Sequence, residues 1–466
     1  MTGRYRQTTF LQQAGYVCLA ILGLGLFIEP RWDAPELNLM VFIMAATALV
    51  PMLRWIGSAS TGYPIHQTLL ALTLPFYVVP LLTEHRALQA YPESLLVQTS
   101  LTIWTYQLAI LAGAHLVRST RAAKADNLWN RALFPEELAK LTGYSLGLNT
   151  AWLVVSTLRS DIPFELLGTL RAVFFGIGLI SAFLQARAWA AGSLSGPGTV
   201  WFLLNLVAQI LLLAASLLLI QAIILFTLVM LGYFTVRQRM PITATLLVFL
   251  LFTILHNGKS EMRLRYWEEG KPMPGVLGLP GFYQEWITVG LAVSDNEELD
   301  RKLSLFDRAS LFHIVAYTVH RTEYMQMNFG GETYIGIPAQ VFPRFLWPNK
   351  PSPNDSGRIL ATGLGILTTE QAMFTSIGFG MIAEAYANFG WLGPPLLGLL
   401  LGILLHWIAI KARDAPLLSL IGIFQILLLC WCLSAETTLI VWLSSLYQAS
   451  IAVLVPFYAA HVFLRR

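Results

Sequence analysis

Residues 307–351 read DRASLFHIVAYTVHRTEYMQMNFGGETYIGIPAQVFPRFLWPNKP. This stretch decides the fold, because it lies in the one long segment without a membrane-length apolar run, in a chain that is otherwise mostly apolar. It contains two of the eight histidines, three spaced arginines and a lysine in a proline-rich turn. We therefore interpret the rest of the chain as a scaffold that holds this segment at one face of a membrane.

The composition indicates an integral membrane protein. Hydrophobic residues make up 56% of the 466 residues and charged residues only 12%, whereas soluble domains contain about 25% charged residues. The apolar runs occur from end to end, which excludes a soluble enzyme with a single anchor. The predicted class is an all-α polytopic membrane protein.

Twelve segments have the apolar length of a membrane helix, which needs about 20 residues to cross a core of ~30 Å. Half of the 30 Lys and Arg residues then fall in the loops on the side of the termini, which predicts cytoplasmic termini. That distribution also favours two spans rather than one in the uncharged run 200–236. The predicted spans are residues 14–28, 37–53, 65–82, 95–117, 141–158, 166–184, 200–215, 217–236, 241–255, 392–410, 416–433 and 446–464.

These spans predict three regions. Residues 1–256 form an N-terminal membrane region of about nine spans, residues 257–391 a large extracytoplasmic loop, and residues 392–466 the last three spans. The loop contains more acidic than basic residues, so it is not a nucleic-acid-binding surface.

Basic residues follow the ninth span at Lys259, Arg263 and Arg265. Cations beside a span commonly contact lipid phosphates. A site for an anionic lipid-linked substrate is the alternative, and the sequence leaves both open.

Residues 301–328 have the periodicity of an amphipathic helix. Apolar residues, including Leu311 and Val315, fall on one side of it. A helix lying on the membrane would account for the pattern. A functional stripe is the alternative, because histidine can act as a base and arginine offers paired donors to phosphate. The opposite side contains Ser310, His313, Tyr317, His320, Arg321 and Tyr324.

A proline-rich frame follows the predicted helix end at Gly330-Gly331 and presents Arg344 and Lys350. Proline fixes the backbone, which suits a preorganised charge site, although a structural turn is the alternative. Further on, residues 374–389 are apolar except for Glu384, and we interpret them as a re-entrant or interface helix. A carboxylate in such a run is a functional candidate, with a salt bridge to a loop arginine as the structural alternative.

Together these segments resemble a known family. The arginine-bearing helix is followed by GETY (331–334), by PR, LWP and KP within 343–351, and by GMIAEAYANFGWLG (380–393). This order is similar to the Wzy-type oligosaccharide repeat-unit polymerases of bacterial O-antigen, capsule and exopolysaccharide pathways. The resemblance covers about residues 259–402. Phe342 departs from it, since an isoleucine is expected before Pro343-Arg344.

The resemblance implies a fold similar to the GT-C glycosyltransferases in the bacterial cytoplasmic membrane. It implies polyprenyl-diphosphate-linked oligosaccharides as substrates, and a chain-length-regulating copolymerase as a partner besides the lipid bilayer. It also implies metal-independent glycosyl transfer with no cofactor and no nucleotide sugar.

The resemblance also assigns roles to residues. Arg321 and Arg344 are expected to hold the donor diphosphate. His320 is the first candidate for the general base and Glu384 the second. The candidate substrate-binding residues are Lys259, Arg263, Arg265, Arg308, Lys350, Tyr317 and Tyr324.

Two other functions remain compatible with the sequence. An O-antigen-ligase-like transferase would use the same kind of lipid-linked donor. A lipid-linked oligosaccharide flippase or another transporter would place ionisable groups within its spans, often in repeated halves. The predicted spans contain almost no such groups, and the charges collect in the long loop.

Overall fold

The structure is a computed structural model, and it describes residues 2–58, 63–117, 128–131, 135–158, 164–217, 219–237, 241–292, 310–326, 328–342, 346–374, 376–413 and 415–463. Helix accounts for 80% of it, and the described residues contain no strand. The predicted all-α class is therefore confirmed. A helix satisfies its backbone hydrogen bonds internally, as a lipid environment requires.

The helices fall into two groups along the chain. The first group comprises α1 Thr2–Ile28, α2 Pro35–Gly57, α3 Ile65–Thr73, α4 Val79–Leu82, α5 Glu93–Leu116, α6 Pro135–Leu158, α7 Phe164–Ala191, α8 Gly196–Ala215, α9 Leu219–Arg237, α10 Ile242–Arg263 and α11 Leu279–Ala292. The second comprises α12 Phe312–Met325, α13 Asp355–Gly363, α14 Gln371–Phe374, α15 Gly380–Phe389, α16 Gly393–Lys411, α17 Leu420–Cys432 and α18 Leu439–Phe463.

Nine helical segments in the described ranges are long and apolar enough to cross a membrane. Two further apolar helices, the part of α9 from residue 221 and the whole of α17, are shorter. Eleven of the twelve predicted spans overlap one of the nine long or two shorter segments, and the remaining span, 141–158, lies within α6. The nine are Phe10–Ile28, Pro35–Gly57, Ile65–Leu82, Glu93–Leu116, Val173–Ala191, Gly196–Ala215, Ile242–Lys259, Gly380–Lys411 and Leu439–Ala459. A count of twelve spans stays a prediction.

The uncharged run 200–236 forms two helices, as predicted. The helix α8 ends at Ala215 and α9 begins at Leu219. Between them Leu217 has a φ of 58°, a left-handed conformation that does not continue a right-handed helix.

The chain divides into two compact units. Unit 1 contains residues 1–131, 306–416 and 428–447, and unit 2 contains residues 132–305, 417–427 and 448–466. The division predicted at residues 256 and 391 stays a prediction. The helix α10 continues through residue 256 and ends at Arg263, beyond the predicted span end at residue 255.

Within unit 1, α5 and α16 pack with their backbones in close contact. A Cβ atom on Gly402 would lie 2.2 Å from the Ile110 carbonyl oxygen, and one on Gly398 would lie 2.5 Å from the Tyr106 carbonyl oxygen. The absence of side chains at these two positions, four residues apart, is what allows the contact, as in other membrane helix pairs.

A sharp turn separates α15 from α16. Gly390 has a φ of 60°, and a Cβ on Gly393 would lie 1.9 Å from the Ala385 carbonyl oxygen. Eight residues in a continuous helix would be separated by about 12 Å. Residues 380–411 are therefore two helices folded against each other. The predicted separate helix at 374–389 is confirmed over residues 380–389, since it begins at Gly380 rather than at residue 374. Its re-entrant or interfacial position stays a prediction.

The helix α12 is shorter than the sequence predicts, and residues 301–309 lie outside the described residues. It begins at Phe312 rather than at residue 301 and ends at Met325 rather than at the glycine pair. Gln326, with a φ of 48°, ends it by donating its N–H to the carbonyls of Thr322 and Glu323. The predicted apolar side is confirmed, since Leu311, Phe312, Val315, Val319 and Thr322 are all buried.

Candidate functional site

The polar side of α12 is anchored to a carbonyl at the end of α13. The Tyr317 hydroxyl and the Arg321 Nε both donate to the Leu364 carbonyl oxygen, each at 3.1 Å. Leu364 is the C-cap residue of α13, and carbonyls at a helix C-terminus lack an intrahelical donor. The negative end of the helix dipole also favours a cation there. The contact therefore fixes the direction of the Arg321 side chain.

The remaining donors of Arg321 are available. Its guanidinium lies against Gly365, where a Cβ would be 2.9 Å from Nη2, so glycine leaves room for the side chain. Arg321 is half-buried and forms no ion pair with any residue that the structure describes. A guanidinium held at Nε with free Nη groups can offer two donors to a phosphate oxygen pair.

His320 is exposed beside Arg321 on the same helix. The centroid of its ring lies 6.1 Å from that of Tyr91 and 6.3 Å from that of Tyr324. Burial, reinforced by Tyr317, raises the pKa of Tyr91, so its phenol stays protonated and can donate a hydrogen bond. Because His320 is exposed, a ligand hydroxyl can reach its ring, and the two tyrosine rings lie next to it.

The nearest acid along α12 is occupied elsewhere. The Glu323 carboxylate accepts hydrogen bonds from the Gln98 amide on α5 and, at 3.1 Å, from the Tyr386 hydroxyl on α15. These contacts connect α12 to two other helices of unit 1. Glu323 forms no ion pair with Arg321 in the part of the chain that the structure describes.

The GETY segment is docked on the C-terminal end of α15. Gly331 N–H donates to the Asn388 Oδ1 at 3.0 Å, and the Asn388 Nδ2 donates to the Thr333 hydroxyl at 2.8 Å. Two backbone bonds, Phe329 N–H to the Ala387 oxygen and Gly330 N–H to the Asn388 oxygen, extend the contact. The two segments that resemble the polymerase family are thus packed together.

Glu384 is fully buried on α15 and caps another helix. Its Oε2 accepts the N–H of Leu439, the first residue of α18, at 2.6 Å. Its Oε1 has no hydrogen-bond partner among the described residues, although the Thr333 hydroxyl interacts with the carboxylate. No described arginine forms a salt bridge with it. The carboxylate lies at the positive end of a helix dipole, which is a stabilising position.

Lys350 braces the proline-rich frame. Its side chain is only 8% exposed, and its Nζ donates to the Phe342 carbonyl oxygen at 2.8 Å. The Gln340 amide closes the same loop by donating to the Pro351 oxygen at 3.1 Å. Arg344, which this frame was predicted to present, lies outside the described residues, as does Arg308.

The remaining predicted cations lie in unit 2, and two of them are engaged there. Arg263 donates to the Leu217 carbonyl oxygen at 2.9 Å and lies 4.4 Å from the Trp267 ring centroid. Arg265 pairs with Glu261 at 3.1 Å and with Glu285 at 3.0 Å. Lys259 is half-buried.

Glu285 is the centre of that cluster. It also accepts from the Lys271 Nζ at 2.8 Å and from the Tyr266 hydroxyl at 2.9 Å. The Lys271 ammonium is the strongest influence that holds the pKa of Glu285 below its ordinary value. The cluster therefore fastens residues 261–271 to α11.

The sequence did not indicate four of the groups that contact α12, namely Tyr91, Gln98, Tyr386 and the Leu364 carbonyl. They come from three separated segments, since Tyr91 and Gln98 are seven residues apart, and no local pattern indicates that they meet at α12. Within the described ranges, no group of three or more His, Cys, Asp or Glu side chains is placed to hold a metal ion.

Comparison with known families identifies a match within the second group of helices. Residues 315–465 match the family described as O-antigen polysaccharide polymerase Wzy. The resemblance to Wzy-type polymerases is thereby confirmed over this segment. The matched segment begins within α12, so it omits residues 259–314 of the predicted range and extends past residue 402. Comparison with curated proteins and with solved structures found no match.

Proposed function

We propose that this chain polymerises polyprenyl-diphosphate-linked oligosaccharide repeat units at the outer face of the bacterial cytoplasmic membrane. The hydroxyl of one lipid-linked repeat unit attacks the anomeric carbon of the glycan on a second lipid. A new glycosidic bond forms, the anomeric carbon–oxygen bond to the diphosphate breaks, and the acceptor hydroxyl gives its proton to a base. The observation that carries the proposal is the unpaired Arg321 beside the exposed His320, inside the segment that matches the family.

Arg321 is assigned to the donor diphosphate. Negative charge develops on this leaving group in the transition state, and a fixed donor aimed at such charge stabilises the transition state more than the ground state. The hydrogen bond from Nε to the Leu364 oxygen supplies the fixation. Arg344 is assigned as the second cation on the resemblance alone.

His320 is favoured over Glu384 as the general base. A base must come within hydrogen-bond reach of the hydroxyl that it deprotonates. His320 is exposed, whereas Glu384 is fully buried and already accepts the N–H of Leu439. Tyr91, Tyr317 and Tyr324 are assigned to the sugars, because tyrosine combines an aromatic face with a polar hydroxyl.

The remaining parts of the proposal come from the sequence. The positive-inside distribution supports cytoplasmic termini. The family resemblance supports a fold of the GT-C type, a copolymerase that sets the chain length and transfer that requires no metal ion. Lys350 contributes by bracing the loop that carries Arg344. Lys259 is assigned to the positive potential around the substrates.

The test is complementation of a host in which the gene is deleted. The wild type, Arg321→Ala, Arg321→Lys and Arg358→Ala are expressed, and lipid-linked and surface polysaccharides are separated on a gel. Arg358 is the matched control, because it is a half-buried arginine of unit 1, as Arg321 is, and is already paired with Asp355 at 3.4 Å. We expect the deletion to leave single repeat units and the wild type to restore a ladder. Arg321→Ala should lower polymer formation by about 100-fold or more, and Arg321→Lys should retain part of it.

Other outcomes separate the competing functions. If the deletion removes surface glycan while polymer accumulates on the lipid carrier, the chain is a ligase or an exporter and the proposal is wrong. If repeat units remain on the cytoplasmic side, it is a flippase. A normal ladder from Arg321→Ala at normal protein abundance would remove Arg321 from the site.

A further inference from the structure

An open cavity of unit 1 has no lining residue on α12. It has a volume of about 610 Å³ and is lined by residues of α2, α3 and α5 and by Ser58. The residues that α2 contributes include Thr47, Val50, Pro51 and Arg54, which follow one face of the helix at spacings of three and four. This volume is within the range of small-molecule sites in proteins.

The lining of the cavity combines polar and apolar residues. Arg54, near the end of α2, and Gln67, near the start of α3, both lie beside the connection between these helices, which we call the polar end, and Val50, Leu108 and Leu111 contribute apolar wall. The contribution of α2 extends from residue 46 to residue 58, which is about 18 Å at 1.5 Å per residue. Since half of a ~30 Å hydrocarbon core is about 15 Å, the cavity has the length of one lipid leaflet.

The polar end has unused hydrogen-bonding capacity. Arg54 is exposed, and no described residue forms an ion pair with it. The Gln67 Oε1 is buried and has no hydrogen-bond partner among the described residues. A buried acceptor without a donor is unfavourable, so this end is complementary to a ligand that supplies both an anion and a donor.

We propose that the cavity binds one phosphatidylglycerol molecule from the leaflet on the Arg54 side. The lipid phosphate pairs with Arg54, a hydroxyl of the glycerol headgroup donates to Gln67, and an acyl chain lies along Val50, Leu108 and Leu111. The positive-inside distribution predicts that this is the cytoplasmic leaflet. The proposal is independent of the proposed polymerase function.

The charge of the cavity favours this lipid over a polyprenyl diphosphate. Arg54 is the one charged residue among those that line it. A single cation matches the single negative charge of a phosphodiester better than the multiple charges of a diphosphate. Phosphatidylcholine has a phosphodiester but no headgroup donor, so it cannot satisfy Gln67.

Lipid binding to the purified, delipidated full-length protein tests the proposal. Native mass spectrometry measures the binding of phosphatidylglycerol and of phosphatidylcholine with the same acyl chains. We expect phosphatidylglycerol to bind about tenfold more tightly, and Arg54→Gln to weaken its binding about tenfold, the loss of one charge-assisted hydrogen bond. Gln67→Leu should reduce the preference between the two lipids.

Two further variants make the test specific. Val50→Trp, or Leu108→Trp if the first does not fold, should prevent binding of both lipids by filling the cavity. Arg86→Gln is the control, because Arg86 is an exposed arginine of unit 1 that does not line the cavity. Equal binding of the two lipids by the wild type would overturn the proposal. Equal effects of Arg54→Gln and Arg86→Gln, or displacement of phosphatidylglycerol by a polyprenyl diphosphate at equal concentration, would also overturn it.

Discussion

The polar side of α12 and the segment that follows α10 both place arginines beside acidic and aromatic residues, but they use them differently. After α10, Arg265 has two carboxylate partners, Glu261 and Glu285. On α12, Arg321 donates to a backbone carbonyl and forms no ion pair with a described residue, and the nearby Glu323 is bound to Gln98 and Tyr386. Arg265 is neutralised by carboxylates, whereas no described carboxylate neutralises Arg321.

This difference shows why a basic residue near a membrane is not by itself a binding site. The ion pairs of Arg265 are partly exposed and fasten one piece of chain to another. The carbonyl contact of Arg321 positions the guanidinium without cancelling its charge. A phosphate gains most from a cation that is already oriented and not already paired.

The largest effect should come from His320, which separates the two candidate bases. His320→Gln removes the base but keeps a polar side chain of similar size, and we expect polymer formation to fall about 100-fold or more. Glu384→Gln should mainly destabilise the protein, because it weakens the hydrogen bond to the Leu439 N–H at the start of α18. Polymer per molecule of folded protein, from the gel ladder and the membrane abundance of each variant, checks both. The reverse pattern would make Glu384 the base.

A smaller effect is expected from the cluster after α10. Glu285→Gln removes the negative charge shared by Arg265, Lys271 and Tyr266 and replaces one acceptor oxygen by a donor. We expect it to lower the free energy of unfolding by about 2 kcal/mol or less, since the pairs are partly exposed. Arg265→Gln should cost less, because Lys271 remains. Thermal unfolding in detergent measures both losses, and the polymer ladder should stay normal. A shortened ladder from stable Arg265→Gln protein would return Arg265 to the substrate site.

The sequence predicted the features that depend on local patterns. The spacing of apolar residues predicted the apolar face of α12, the distribution of Lys and Arg favoured the division of residues 200–236, and an apolar run with one carboxylate indicated the separate helix around Glu384. The ends of α12 could not be predicted, because Gln326 rather than the glycine pair adopts the left-handed conformation that terminates it.

Long-range contacts account for the other differences. Lys350 was predicted to present its charge, but the folded loop brings the Phe342 carbonyl to its ammonium. Arg265 meets Glu285, twenty residues further along the chain, only once α11 has packed. The sequence identifies which residues carry charge, whereas tertiary structure decides which charges remain available.

The smallest expected effect is a loss of stability in acid, and it distinguishes α12 from the segment that follows α10. At the start of α12, the His313 ring stacks on His85 with centroids 5.3 Å apart, and burial, followed by His85, lowers the pKa of His313 to about 4. The unfolded chain, with a histidine pKa of about 6.5, then binds more protons than the folded one between these values. The contribution of neutral His313 to stability is therefore fully present above this pH window and is lost as the pH falls through it.

Between pH 7 and pH 5.5 this linkage amounts to about 1 kcal/mol. His313→Gln should flatten the pH dependence of the thermal unfolding midpoint in that interval. Glu285→Gln should leave it unchanged there, because a carboxylate with a lowered pKa loses its stabilising contribution only as the pH falls below its ordinary value near 4.5. Measuring both variants across the interval is the control for general acid sensitivity. If both curves keep the slope of the wild type, the His85–His313 pair is not the origin of the acid sensitivity, and α12 is then no more sensitive to acid than the segment after α10.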